Sequence, residues 1–166
     1  MKFTAPFITN SAILITQSSV PTLAKLENIQ TGFAGFTAYT AKGTLNEKRI
    51  NELKQKYFKD LAISYTTTSQ EALEKVFNDP KGFAYLDMAF YLEAVQLKKN
   101  VKRHPAGDKA AEQFGIIMPS SSDWGPLFEE FSKSNGGYYN SPQYKSSLVK
   151  HLGEAGLKLM QAVAKN

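Results

Sequence analysis

The sequence predicts a single three-layer α/β domain with a mainly parallel sheet flanked by helices, and three observations predict it. Strand-like apolar runs alternate with helical segments three times between residues 33 and 97, the pattern of parallel strands joined by helical crossovers. Two of the helices open directly after a strand with the Thr-x-x-Glu form of a capping box, Thr44 to Glu47 and Thr68 to Glu71. The chain has 166 residues, 42% of them apolar, and no low-complexity tract; a chain of that size buries about two-thirds of its unfolded surface around one core.

In order along the chain, Phe7 to Thr16 reads as a strand pair or one long bent strand, carried by the apolar run Ala12, Ile13, Leu14, Ile15. Gln17 to Pro21 is a turn, and Leu23 and Leu26 share one side of a short helical turn. Phe33 to Tyr39 is aromatic and strand-like. After Lys42 and Gly43 the first capping box opens a helix with Ile50, Leu53 and Tyr57 at i, i+3, i+7. Ala62 to Tyr65 is the next strand. The second capping box opens a helix carrying Ala72, Leu73, Val76 and Phe77 that stops at Asp79 and Pro80. Phe83 to Leu86 is a strand, Asp87 opens a helix to about Leu97, and Val101 to His104 and Phe114 to Met118 look like further strands. Asp123 or Ser122 caps a helix from Trp124 to Ser134, with Asn135, Gly136 and Gly137 supplying a glycine C-cap. A final helix runs from about Gln143 to Ala164, bent near Gly153 and Gly156. These elements divide as residues 1–17, a crossover strand; 18–118, the α/β core; and 119–166, C-terminal helices.

Composition narrows the function. The absence of cysteine excludes thiol catalysis, disulfides and cysteine metal sites. The net charge of +5 is spread over helical stretches. Its densest run, Lys98, Lys99, Lys102, Arg103 and His104, reads as a solvated loop, and no RNA-binding signature accompanies it, so no nucleic-acid partner is expected. No apolar run reaches the length of a membrane span. Met1 to Pro6 lacks the apolar stretch of a secretory signal, so either the chain is cytosolic or a signal lies upstream. His104 and His151 have no metal-ligand spacing and are expected in surface or loop positions. The serines at 120–122 lack a nucleophile elbow, and no acid, base and nucleophile set is present. Neither a cofactor, a metal nor turnover is expected.

Two places could carry binding chemistry. Gly43 followed by Thr44 puts free backbone N–H groups and the positive end of a helix dipole at a strand end, which suits a carboxylate, phosphate or sulfate; equally, Thr44 serves only to cap its own helix. Asp87 stands where a strand ends and a helix begins, at the edge of an open sheet where ligands bind. Its carboxylate either pairs with an ammonium group or caps its helix. Of the aromatic residues Phe33, Phe36, Tyr39, Phe83, Tyr85, Phe90 and Phe114, most read as core, with one or two available to wall a pocket.

The order of these motifs resembles the second lobe, with its hinge strand, of type II solute-binding proteins of the amino-acid-binding kind, which include the ligand cores of ionotropic glutamate receptors. Phe3-Thr4-Ala5-Pro6-Phe7 and the following Ser11 to Ile15 resemble the segment that crosses from lobe one to lobe two. Leu23 to Leu26 resembles the short turn before the first lobe-two strand. Ala41-Lys42-Gly43-Thr44 is similar to the family's Gly-Ser/Thr helix start, and Thr67 to Phe77 to a further helix of the family. Phe83 to Asp87 is similar to the strand bearing the acidic residue, and Phe114 to Pro119 to the strand that crosses back. Each motif is short; their order from Phe3 to about Gly153 carries the resemblance.

The resemblance implies a non-catalytic, periplasmic or extracellular module for a small zwitterionic solute such as an amino acid, working with a transporter permease or a sensor domain. It implies that Gly43 and Thr44 hold the ligand carboxylate, that Asp87 pairs with its α-ammonium, and that Phe90 and Phe114 line the cleft. The family's first lobe, which carries an arginine that clamps the carboxylate, has no counterpart here, so the chain is expected to be a fragment or a reduced relative that binds solute weakly. A regulatory or protein-interaction domain of the same fold is the alternative. Trp124, Leu127, Phe128, Phe131, Leu148, Leu152, Leu157 and Met160, which pack on lobe one in the family, are expected to fold back or to bury against a second copy in a homodimer through the C-terminal helices.

Overall fold

The computed structural model describes residues 1–134, 137–138 and 141–163. In chain order the elements are β1 (Lys2–Phe3), β2 (Ile8–Asn10), β3 (Ala12–Thr16), a 3-10 turn (Leu26–Asn28), α1 (Ile29–Gly32), β4 (Thr37–Ala41), α2 (Leu45–Tyr57), β5 (Ala62–Thr66), α3 (Ser69–Asn78), β6 (Gly82–Asp87), α4 (Met88–Gln96), β7 (Lys102–Arg103), a second 3-10 turn (Pro105–Gly107), β8 (Glu112–Phe114), β9 (Ile117–Met118), α5 (Trp124–Lys133) and α6 (Pro142–Val163). They form two compact units, Ser11–Lys109 and the paired termini Met1–Asn10 with Ala110–Asn166. The sequence predicts one domain, divided after residues 17 and 118; the divisions between the compact units fall after Asn10 and after Lys109.

The Ser11–Lys109 unit is built on a five-stranded sheet of order β5-β4-β6-β3-β7. β4 pairs in parallel with both β5 and β6. β3 is antiparallel to both of its neighbours, β6 and β7, so β7 runs with β4, β5 and β6, and four of the five strands share one direction. Helices cover both faces, which explains why the central strands are apolar throughout instead of alternating: all of β3 is buried, and so are Phe83 to Leu86 of β6. Successive side chains nevertheless take opposite faces. Leu14 opposite Tyr85, together with Ala38 and Phe83, joins a core cluster with Ile29, Phe33, Ile50, Leu53, Phe58 and Leu61, the α1 and α2 side. Ile13 and Leu86, paired across β3 and β6, take the other face.

Both predicted capping boxes form. Thr44 accepts from the Glu47 N–H at 3.2 Å, and Thr68 accepts from the Glu71 N–H at 3.1 Å. In each box the glutamate reaches back, to the N–H of Gly43 at 2.6 Å and of Thr67 at 2.9 Å. Three predictions about this unit need correction. The strand predicted over Phe33 to Tyr39 begins only at Thr37; Phe33 instead follows α1 in a turn and is buried on its own account, stacked on Phe36 with ring centroids 5.0 Å apart. The basic run from Lys98 is not simply a solvated loop, because Lys102 and Arg103 are half-buried strand residues. His104, expected in a surface or loop position, does lie outside any helix or strand, but it is completely buried.

The terminal unit consists of two short antiparallel ladders and two helices. Phe3 pairs with Ile117 between β1 and β9, and Ile8 with Phe114 between β2 and β8. In α5, Asp123 takes the N-cap position with no side-chain cap bond, and Ser122 Oγ accepts from the Trp124 N–H at 3.3 Å. The predicted C-cap residues Asn135 and Gly136, and the predicted helix end at Ala164, lie outside the described residues. α6 breaks at Gly153, whose φ of 72° and ψ of 171° suit glycine alone. Phe114, counted among the mostly core aromatics, is 45% exposed, and Trp124, Leu127 and Phe131 are more than half exposed.

Candidate functional site

The carboxyl edge of the β4–β6 pair holds the site. β4 and β6 run in parallel with Thr37 opposite Gly82 and Ala38 opposite Phe83. Carried forward, that register sets Lys42 level with Asp87. Gly43 and Thr44 therefore leave β4 at the same edge at which Asp87 ends β6. Gly43 has φ +78° with open space where a side chain would stand, so the left-handed turn, not crowding, selects glycine there. The turn swings the chain into α2, with Thr44 in the extended N-cap conformation.

Thr44 is fully engaged locally. Its hydroxyl donates to the Ala41 carbonyl at 2.7 Å while accepting from Glu47. The Gly43 N–H already meets the Glu47 carboxylate. The donors left for an external anion are the first-turn N–H groups of Leu45 and Asn46, which have no intrahelical acceptor in any helix start.

Asp87 is the N-cap residue of α4, yet its side chain makes no cap bond. Its register partner is Ala12, and cross-strand partners point to the same face, so the carboxylate lies on the α2 face. There the Asn46 Nδ2 amide approaches Asp87 Oδ1 at 3.5 Å. Asn46 and Arg49 are both buried, and Arg49 Nη1 donates to Asn46 Oδ1 at 2.8 Å. Because a guanidinium only donates, it fixes which end of the Asn46 amide is the acceptor and turns the NH₂ toward Asp87. Asn46 and Arg49 were not singled out from the sequence; their spacing of three on the capped helix was the available signal.

Among the predicted site residues, Gly43, Thr44 and Asp87 come together. Phe90 lies half-buried one turn into α4. Phe114 belongs to β8 of the terminal unit. Among the described residues no group of His, Asp or Glu is placed to hold a metal ion, and no helix is long and apolar enough to cross a membrane.

No protein-family model matches the sequence, and no curated protein matches it. Solved structures do. An ancestral arginine-binding protein bound to arginine is similar over 92% of this chain and 64% of its own, with TM-score 0.62 and 16% identity. Substrate-binding domain 2 of GlnP from Lactococcus lactis, in its open conformation, is similar over 99% of this chain and 58% of its own, with TM-score 0.57 and 14% identity. The GluR0 ligand-binding core in complex with L-glutamate is similar over 76% of this chain and 54% of its own, with TM-score 0.56 and 11% identity. The chain thus has the fold of a type II solute-binding lobe, and it spans less than two-thirds of the length of these structures.

Proposed function

We propose that the chain is a solute-binding module, one lobe of a two-lobed clamshell, that takes a small zwitterionic solute such as an amino acid and performs no chemistry on it. The observation that carries this is an Asp87 carboxylate that caps nothing, set on the same sheet edge as the start of α2. The helix start attracts the ligand carboxylate, with Gly43 and Thr44 shaping the turn, and Asp87 pairs with the ammonium. The similar structures bound to arginine and to L-glutamate support that ligand class, and two others described as parts of ABC transporters support a transporter permease as partner; a periplasmic or extracellular setting, or a sensor domain as partner, is what the family resemblance implies. The further lobe supplies the arginine that clamps the carboxylate.

Affinity follows from the half-site. A water-exposed charged contact is worth about 1 kcal/mol or less, and clamshells gain most of their affinity on closure around the ligand. NMR titration of the chain with L-arginine, L-lysine or L-glutamine is expected to show millimolar or weaker binding. Shifts should centre on Gly43, Leu45, Asn46 and Asp87 and disappear in Asp87→Asn. Micromolar affinity for the chain alone would overturn the half-site reading.

One observation favours a second reading, a regulatory or protein-interaction domain of the same fold. The Gly43 N–H is already occupied by Glu47 at 2.6 Å, so the edge satisfies part of its own anion demand. A thermal-shift screen separates the two readings, because a ligand that binds the native state raises Tm. In that second reading the exposed Trp124, Leu127 and Phe131 meet a partner or a second copy, and light scattering would report a dimer.

A further inference from the structure

The segment between β3 and α1 buries Val20 and Leu23 in the core cluster, and its backbone is held by three side chains from residues next to and within β7. Asn100 Oδ1 accepts from the Ser18 N–H at 3.3 Å. Lys102 Nζ donates to the Val20 carbonyl at 2.6 Å. His104 Nδ1 accepts from the Leu23 N–H at 3.0 Å. Lys102 and His104 are alternate residues and share a side, and Asn100 reaches the same segment from the bend before β7, so the three form a comb that grips the backbone of residues 18–23. β7 thereby pairs through its backbone with β3 on one edge and through side chains with the loop.

The inner tooth of the comb has only one working protonation state. A backbone N–H can only donate, so the Leu23 contact requires a bare Nδ1 on His104. The proton then sits on Nε2, which meets Thr16 Oγ1 at 2.7 Å, and Thr16 in turn donates to the Gln17 carbonyl at 2.9 Å. The ring is wholly buried and packs edge-on to Phe33 at 5.1 Å. A second proton would put two donors, Nδ1–H and Leu23 N–H, against each other at a wholly buried ring.

We propose that His104 is an acid-released latch, whose protonation frees the loop of residues 18–23 from the sheet unit. The groups facing the ring are Thr16 from β3, Phe33 from beyond α1, the Leu23 backbone from the loop, and Lys102 on its own strand; of these Lys102 alone carries a charge, and it opposes a second one. Burial first, and then Lys102, holds the imidazole from its usual 6.5 down to about 4. Because the closed state binds fewer protons than the open one, the closed-to-open ratio is constant above pH 6.5. It falls tenfold per pH unit between 6.5 and about 4, roughly 300-fold in all, and levels off below.

The test is NMR of the whole chain from pH 7 to pH 3.5. Long-range proton–nitrogen spectra of the His104 ring should show the Nε2–H tautomer at neutral pH and a midpoint near 4. The Ser18 and Leu23 amides should lose exchange protection through that titration, while amides of β4 and β6 keep their shifts. Lys102→Met should raise the ring midpoint. Asn100→Ala should loosen Ser18 equally at every pH and leave the midpoint alone. A Nδ1–H tautomer, a midpoint at the ordinary 6.5, or loop amides unmoved across the titration would each overturn the latch. So would loss of β4, β6 and loop signals together at the ring midpoint, which would make His104 a determinant of global stability alone.

Discussion

Gly107 offers the sharpest test of how the sheet unit packs. A Cβ added there would lie 2.4 Å from Leu14 Cδ2 and 2.7 Å from Leu14 Cβ. Carbon atoms in contact prefer about 3.5–4.0 Å, so either the turn of Pro105–Gly107 or β3 must give by roughly 1 Å. Neither moves easily. Leu14 is buried in a central strand, and the Gly107 carbonyl accepts the Tyr85 hydroxyl at 2.8 Å inside the core. Overpacking of this kind costs about 1–3 kcal/mol, and a near 1 Å misfit against a strand belongs at the upper end. The stiffer alanine in the unfolded chain returns about 0.4–1 kcal/mol. Gly107→Ala should therefore destabilise by about 2 kcal/mol in urea unfolding followed by circular dichroism. Leu14→Ala alone should cost about 2–5 kcal/mol. The double variant should cost about 1 kcal/mol less than the sum, since truncating Leu14 removes the 2.4 Å contact but leaves the one at 2.7 Å. Gly125, where an added Cβ meets nothing within 4 Å, is the control and should accept alanine without loss. Gly107→Ala at wild-type stability, or strict additivity with Leu14→Ala, would refute the packing account.

Two further substitutions probe the polar framework. Thr44→Ala removes both the acceptor for Glu47 N–H and the donor to the Ala41 carbonyl; it should lower stability by about 1–2 kcal/mol, with Thr44→Ser recovering most of it, and equal stability of all three proteins would show that the cap is idle. Tyr85→Phe leaves the Gly107 carbonyl without its donor and should cost about 1 kcal/mol at neutral pH. Burial pushes the Tyr85 phenol well above its ordinary 10, so the wild-type side chain contributes fully below pH 10 and loses stability as pH rises beyond it. The Phe variant should consequently be less sensitive to alkali, as read from Tm between pH 8 and pH 11.

What the sequence shows and hides follows from the range of the forces involved. Capping boxes are settled within four residues, so Thr44 with Glu47 and Thr68 with Glu71 were legible, and so, apart from the start of β4, were the strands that lead into them. β6 was legible because both of its faces are covered and it must be apolar throughout. The direction of β3 was not, because nothing in Ala12 to Ile15 distinguishes a parallel strand from an antiparallel one. Phe33 was misplaced because an aromatic residue reads alike in a strand and in a buried turn. His104 was missed for a related reason. Charge marks the run from Lys98 as solvated, but alternate residues of an extended segment face opposite ways, and the group that takes up the His104 ring, the Leu23 N–H, lies 81 residues away. At the sheet edge, local sequence named Gly43, Thr44 and Asp87. It could not show that Asp87 leaves its own helix uncapped, or that Arg49 turns the Asn46 amide toward it, since both depend on how α2 settles on β6.

The two compact units are unequal in what holds them together. Every buried hydrophobic residue among those described lies between Ala12 and Ala94, apart from Met118 and Met160. Apolar burial contributes about 25 cal/mol per Å², so nearly all of the burial that opposes chain entropy belongs to Ser11–Lys109. The sheet, the comb, both capping boxes and the Gly43–Asp87 edge are also complete within those residues. A chain of residues 11–109 should accordingly fold alone, with two-state unfolding and amide shifts for β3, β4 and β6 matching those of the full protein. The terminal unit instead exposes Phe3, Ile117, Trp124, Leu127 and Phe131 by more than half each, and its isolated segments should give the collapsed spectrum of an unfolded or self-associating peptide. If residues 11–109 failed to fold while the full chain did, the buried contacts counted above would not be what stabilises the sheet, and the site at its edge would lose its scaffold.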